Sequence, residues 1–265
     1  MNVNYQNQNQ NQYPCFNQND NLGFSDFGNT ENVYSNYREE EIKREINTTI
    51  RLGFIRKVYG ILTIQLFITT LFCLFSMTSK SLKLFMLDHK GVMIIMLLLV
   101  IILPFIIVCF PGIMRQVPQN YIILLVFTLA ESYFVGYICA YTKPEVVFMA
   151  AAMTFVMVLS LTFYAINTNT DITMQGGLVF ILSAALFLFV IFSFFIRNSL
   201  FMVIIALLCV ILFSFYIIYD TQIIMGNRQE MIQVDDYILG AFMLYTDIVS
   251  LFLELLRIIS YFSNN

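Results

Sequence analysis

The sequence predicts an all-α, polytopic membrane protein, and three observations carry that prediction. The 265-residue chain is 59% hydrophobic and only 12% charged, about half the charged share of a soluble domain. Its mean hydropathy is +0.76. Its apolar segments are continuous runs of the length an α-helix needs to cross a bilayer, without the alternation of a barrel strand.

Seven such runs follow one another, at 58–78, 92–114, 121–142, 146–166, 178–196, 199–225 and 237–259. Residues 1–46 precede them as an expected disordered cytosolic tail. Twelve of the first twenty residues are Asn or Gln, a low-complexity composition with no apolar core of a signal peptide. Nothing marks Tyr5, Tyr13 or Pro14 in this tail as a partner site. Glu39, Glu40, Lys43 and Arg44 stand at helical spacing, so residues 37–50 read as a short cytosolic helix leading into the membrane. Residues 47–265 form the expected seven-helix domain.

Local signals punctuate the runs. Pro104 is expected to kink the second. Arg197, Asn198 and Ser199 alone separate the fifth from the sixth, which calls for a tight hairpin. Gly226 suits the end of the sixth helix, and Asp235 and Asp236 suit the start of the seventh by capping its free amides.

Orientation follows from the cations in short flanks. With the N-terminus inside, Arg38, Lys43, Arg44, Arg51, Arg56, Lys57, Arg115 and Arg228 fall on the cytosolic side. Lys80, Lys83, Lys90, Lys143, Arg197 and Arg257 fall on the other. The cluster before the first span dominates, so the N-terminus is expected to be cytosolic.

Composition also removes function classes. A net charge of −3 excludes a broad basic surface for nucleic acid. The five cysteines (15, 73, 109, 139 and 209) lack CxxC spacing, so they read as small hydrophobes rather than a disulfide framework or zinc site. A single histidine, His89, precludes a metal hydrolase built on several histidines, and no serine motif replaces it. No enzyme activity and no cofactor are expected. A seven-helix receptor would need the opposite orientation and an extracellular cysteine pair, which has no candidate here.

Three carboxylates remain inside the apolar runs. Asp247 lies ten residues into the seventh run, roughly 15 Å deep, and Glu131 ten residues into the third, at a similar depth. Asp220 lies six residues before Gly226, roughly 9 Å in from the same side. A carboxylate at mid-bilayer costs about 2.5–3.5 kcal/mol on insertion scales, and such residues face a bundle interior or wet cavity. If Asp220 and Asp247 meet, a low-dielectric site makes double ionisation costly and favours a shared proton, a proton sensor without histidine. Fully ionised, the pair offers hard oxygens to a calcium ion. Glu131 is a pore carboxylate or a structural hydrogen-bonding group. Arg115 is a latch on the pair or a positive-inside loop residue. Glu254 and Arg257 are placed to satisfy each other, and Gln65 to make a packing hydrogen bond.

Four segments carry a family resemblance. IRLGFIRKVYGILTIQLFITT (Ile50–Thr70) resembles the opening helix of the Lifeguard branch of the Bax inhibitor family. FTLAESYFVGY (Phe127–Tyr137) is similar to its third-helix motif, and YIIYDTQIIMG (Tyr216–Gly226) and DDYILGAFMLYTDIVSLFLELLRI (Asp235–Ile258) to its two aspartate segments. The resemblance covers residues 48–260 and implies seven transmembrane helices with the last helix central. It implies an endoplasmic reticulum or Golgi protein that lets calcium leak from the store and restrains cell death. It further implies a proton-sensitive pair of Asp220 and Asp247, with an arginine latch for which Arg115 is the candidate. The expected partners are therefore the lipid bilayer, calcium ions, protons and membrane proteins of cell-death regulation. The second reading is a non-transporting scaffold that acts through such proteins.

Overall fold

In the computed structural model, residues 24–168, 170, 172, 176–193, 199–226 and 232–264 are described. The chain divides into two units, Met1–Thr48 and Thr49–Asn265. Tyr5, Tyr13, Pro14, Arg197, Asn198 and Arg228 lie outside the described residues, so the expected tail and hairpin turn are set aside.

The described part of the first unit belongs to helix α1 (Phe24–Thr78). The helix thus begins within the segment expected as a tail. Glu40 and Arg44, one turn apart, approach to 3.8 Å, and residues 36–50 are all exposed. Such a polar helical stretch draws its support from i,i+4 pairs rather than a core.

The second unit takes α1 onward through α2 (Lys80–Asp88), α3 (Lys90–Cys109), α4 (Gln119–Tyr141), α5 (Pro144–Asn167), α6 (Gly176–Ser193), α7 (Ser199–Met225) and α8 (Tyr237–Asn264). Six helices among the described residues are long and apolar enough to cross a membrane; they are α1, α3, α4, α5, α7 and α8. Helix α6 stands where the fifth apolar run was expected. Its 18 residues span about 27 Å.

Two local features depart from expectation. Residues 80–88, between the first two expected spans, form a helix that Ser79 caps by accepting a hydrogen bond from the Leu82 amide at 3.3 Å. Helix α3 passes through Pro104 and ends at Cys109, earlier than the expected residue 114. Pro111 then opens a 3-10 turn, Pro111–Arg115, which carries Arg115 out of the apolar run.

Side-chain pairs give the helix directions. Gln65 of α1 donates to Thr128 of α4 at 2.9 Å, and Thr69 bonds Ser132 at 2.9 Å. Both pairs are 63 residues apart, so α1 and α4 advance in step and run parallel. Between α7 and α8 the order reverses: Ile224 faces Gly240 while Asp220 faces Asp247, which makes the two helices antiparallel. Gln222, near the end of α7, bonds Thr170 and Ile172 just beyond α5. Lys143 at the start of α5 bonds Ser263 at the end of α8 at 3.1 Å.

The core is centred on α8. Helix α8 packs against α4, α5 and α7, and Tyr245 joins it to α1 through Thr69 at 2.7 Å. Tyr245 and Phe127 are fully enclosed, and Phe127 also meets Phe242 with ring centroids 4.6 Å apart. Lipid removes the hydrophobic drive between helices, so close packing and interhelical hydrogen bonds hold them. Outward-facing Phe155, Phe163, Phe180 and Ile181 remain exposed, as a lipid-contacting surface requires.

Candidate functional site: a buried aspartate pair and two arginine clamps

Asp220 sits five residues before the end of α7, and Asp247 ten residues after the first residue of α8. Antiparallel packing brings these two positions level. Their side chains are buried and close enough to interact with each other. Two carboxyls apposed in a low-dielectric site cannot both ionise cheaply, which favours a shared proton. Asp247 Oδ2 has no hydrogen-bond partner among the described residues. An acceptor left bare in a buried site is open to a cation or a proton.

Two arginines bind the helix ends beside the pair. Arg51 of α1 donates to the Ile223 carbonyl at 2.5 Å and to the Ile232 carbonyl at 3.1 Å. It thereby satisfies a carbonyl in the last turn of α7, which has no amide partner of its own. Gly226 ends that helix at φ +67°, and an added Cβ there would lie 2.5 Å from the Arg51 guanidinium. Glycine therefore serves both the left-handed turn and the approach of the arginine.

Arg115 makes the second clamp. Its Nε donates to Asp236 Oδ1 at 2.6 Å and its Nη2 to Oδ2 at 2.9 Å. Asp236 is buried and precedes the first residue of α8, so the cation holds the start of that helix. The hydrogen bond and charge of Asp236 raise the Arg115 pKa above its ordinary value and keep it protonated. Asp236 is eleven residues from Asp247, roughly 16 Å along α8. The structure thus brings Asp220 and Asp247 together and gives Arg115 to Asp236 instead of to the pair.

Glu131 is buried in α4 with its Oε2 unpartnered among the described residues, and it stands outside the aspartate contact. Its neighbour Ser132 belongs to the seam with Thr69 and Tyr245. Glu254 and Arg257 form the expected ion pair at 3.1 Å. Among the described residues no group of three or more His, Cys, Asp or Glu gathers to hold a metal.

Sequence reasoning missed Arg51, the role of Asp236, and the Thr69–Ser132–Tyr245 seam. A signal for the seam exists in the four-residue spacing of Gln65 with Thr69 and of Thr128 with Ser132, polar residues repeated on one face of each helix. The arginine partners leave no such local trace, since both are set by tertiary contact.

A multi-pass helical membrane protein with an aspartate pair buried between its last two helices is the class defined by this geometry. Residues 51–264 match the family described as Inhibitor of apoptosis-promoting Bax1. The chain belongs to that Bax inhibitor family, and the relatives it is similar to include Lifeguard proteins. It is 35% identical to Protein LIFEGUARD 3 of Arabidopsis thaliana, over 80% of this chain and 86% of that protein. It is 30% identical to Protein lifeguard 3 of Homo sapiens, over 79% of this chain and 68% of that protein. With the BI1-like protein of Arabidopsis thaliana it shares 34% identity, over 79% of this chain and 81% of that protein.

Proposed function

We propose that the chain is a pH-sensitive calcium leak channel of an intracellular membrane, the endoplasmic reticulum or Golgi, which regulates calcium homeostasis and restrains cell death. The carrying observation is the apposition of buried Asp220 and Asp247 between α7 and α8. A carboxyl pair that shares one proton changes its charge by a single protonation step. Ionisation presents hard oxygens to calcium, and neutralisation withdraws them. Two carboxylates fall well short of the six to eight oxygens of a resident calcium site, which favours passage over storage.

The reading includes seven membrane crossings with a cytosolic N-terminus and α8 central. Helix directions support that count. The membrane-spanning part of α1 runs parallel to α4, and Arg51, just ahead of that part, holds the end of α7. The segment after α5 returns to the end of α7 through Gln222. Helix α6 must then carry the chain across before α7 can return. Arg115, as a latch, acts in this reading by holding the start of α8, the helix that bears Asp247.

Calcium flux from liposomes containing the purified protein tests the proposal, measured between about pH 5 and 8. Wild-type flux is expected to vary with pH, and Asp247→Asn to remove that variation at matched incorporation. Folded wild-type protein that passes no calcium above empty liposomes at any pH would overturn the channel reading and favour a scaffold acting through cell-death proteins.

A further inference from the structure

We infer that the cleft between α1 and α5 is a binding site for one hydrocarbon chain of a membrane phospholipid. The cleft is a cavity of about 350 Å³. Its floor includes the buried Val135 of α4 and Val249 of α8, and its mouth is framed by the outward-facing Leu74 of α1 with Phe148 and Phe155 of α5. In a chain whose outer surface meets lipid, that mouth opens onto hydrocarbon rather than water.

Shape selects the occupant. The lining runs from Leu66 to Met77 on α1 and from Val147 to Val158 on α5. Each stretch is about 16 Å long at the α-helical rise. Val58 faces Gly240 and Thr69 bonds Tyr245, so α1 advances with α8. Lys143 at the start of α5 meets Ser263 at the end of α8, so α5 runs the other way. The cavity is therefore a groove along the helices, reaching from mid-span toward the face where α1 ends. Half of a hydrocarbon core about 30 Å thick is about 15 Å, the depth that a phospholipid chain fills in one leaflet. A partner helix, about 10–12 Å across, would need several times the cavity's volume over that length.

Chemistry selects a chain over a polar guest. Three threonines line the groove, and each uses its hydroxyl inside the protein. Thr70 donates to the Leu66 carbonyl and Thr154 to the Ala150 carbonyl, both at 2.8 Å. Thr69 bonds Tyr245 at 2.7 Å and Ser132 at 2.9 Å. Among the described residues, no charged side chain lines the groove. A polar guest would lose its water here without gaining partners. An empty groove would forfeit dispersion contacts along both walls, and a lipid chain is the neighbouring material that restores them. The site stands apart from the proposed ion pathway, yet its wall includes Ile248, the residue after Asp247. An occupied groove thus braces the turn of α8 that carries the aspartate.

The test is photolabelling of the purified full-length chain in phosphatidylcholine liposomes, followed by peptide mapping. The probe is a phosphatidylcholine with a diazirine midway along one acyl chain. Lipid around the bundle labels exposed Phe163 in any case. Label on Val135 or Val249, which only a chain inside the groove can touch, is the expected result. Ala151, exposed at the groove, offers the blocking variant. Ala151→Trp is expected to remove label from Val135 and Val249 while leaving Phe163 labelled. Folded wild type labelled at Phe163 but at neither valine would overturn the inference. So would undiminished valine labelling in Ala151→Trp. Valine labelling by a photoactivatable sterol but not by the phospholipid would overturn the assignment to an acyl chain. The wild-type map decides the matter even if Ala151→Trp fails to fold.

Discussion

Arg115 and Asp236 form a two-point ion pair across 121 residues of chain, with both guanidinium contacts at or below 2.9 Å. The pair fastens the turn after α3 to the start of α8. Planar fork-to-carboxylate geometry is a property of arginine that lysine does not reproduce. Arg115→Ala is expected to lower the thermal midpoint of the purified protein, and Arg115→Lys to recover only part of the loss. The check is thermal unfolding in detergent, with Asp236→Ala as the second arm of a double-mutant cycle. Additive losses from the two alanines would mean that the side chains act independently.

Asp220 and Asp247 meet in a buried site where double ionisation is costly, so they should titrate as one unit. Asp220→Asn, Asp247→Asn and the double variant are each expected to abolish the pH dependence of calcium flux to the same extent. Asparagine can hydrogen-bond the remaining carboxyl while removing the proton shared between the two, so folding is expected to survive. Flux profiles from reconstituted variants check this. Two separate residual pH steps in the single variants would show that the carboxyls titrate apart.

Gly136 is expected to tolerate no side chain without movement of Phe72. Gly136→Ala places a methyl 2.7 Å from the Phe72 ring and should cost about 1–3 kcal/mol of stability. Phe72→Leu in the same chain is expected to restore part of that loss. Equilibrium unfolding of the two single variants and the double variant gives the comparison.

The seam between α1 and α4 supplies another stability prediction. Thr69 bonds Ser132 and Tyr245 at once, within the buried core. Interhelical hydrogen bonds of this kind are worth about 0.6 kcal/mol on average and about 1.7 at most. Thr69→Val is expected to cost more than Tyr245→Phe, because it strips partners from two helices. Unfolding midpoints for the two variants test the order.

Much of the fold was legible because lipid makes a simple demand: long apolar runs must be helices. The Gly226 stop and the Glu254–Arg257 pair were legible for local reasons, a left-handed turn and a three-residue spacing. The helix at 80–88 was less so, since it lies between two apolar runs and owes its start to the Ser79 cap. Asp220 and Asp247 stood out as carboxylates in apolar surroundings. Arg115 also stood out, but its partner did not: Asp236 reads locally as a helix cap, and only tertiary packing sets the arginine against it.

Helix α1 is synthesised before the other described spans, yet its polar contacts reach residues made much later. Gln65 waits for Thr128, Thr69 for Tyr245, and Arg51 for Ile223 and Ile232. Until α8 emerges, α1 exposes groups to lipid or to the membrane boundary whose partners do not yet exist. Non-local pairing of this order slows assembly and makes the last helix the one that completes the first. A chain halted before α8 therefore remains unfinished at its beginning, and its unsatisfied polar side chains mark it for capture by the membrane's quality-control machinery.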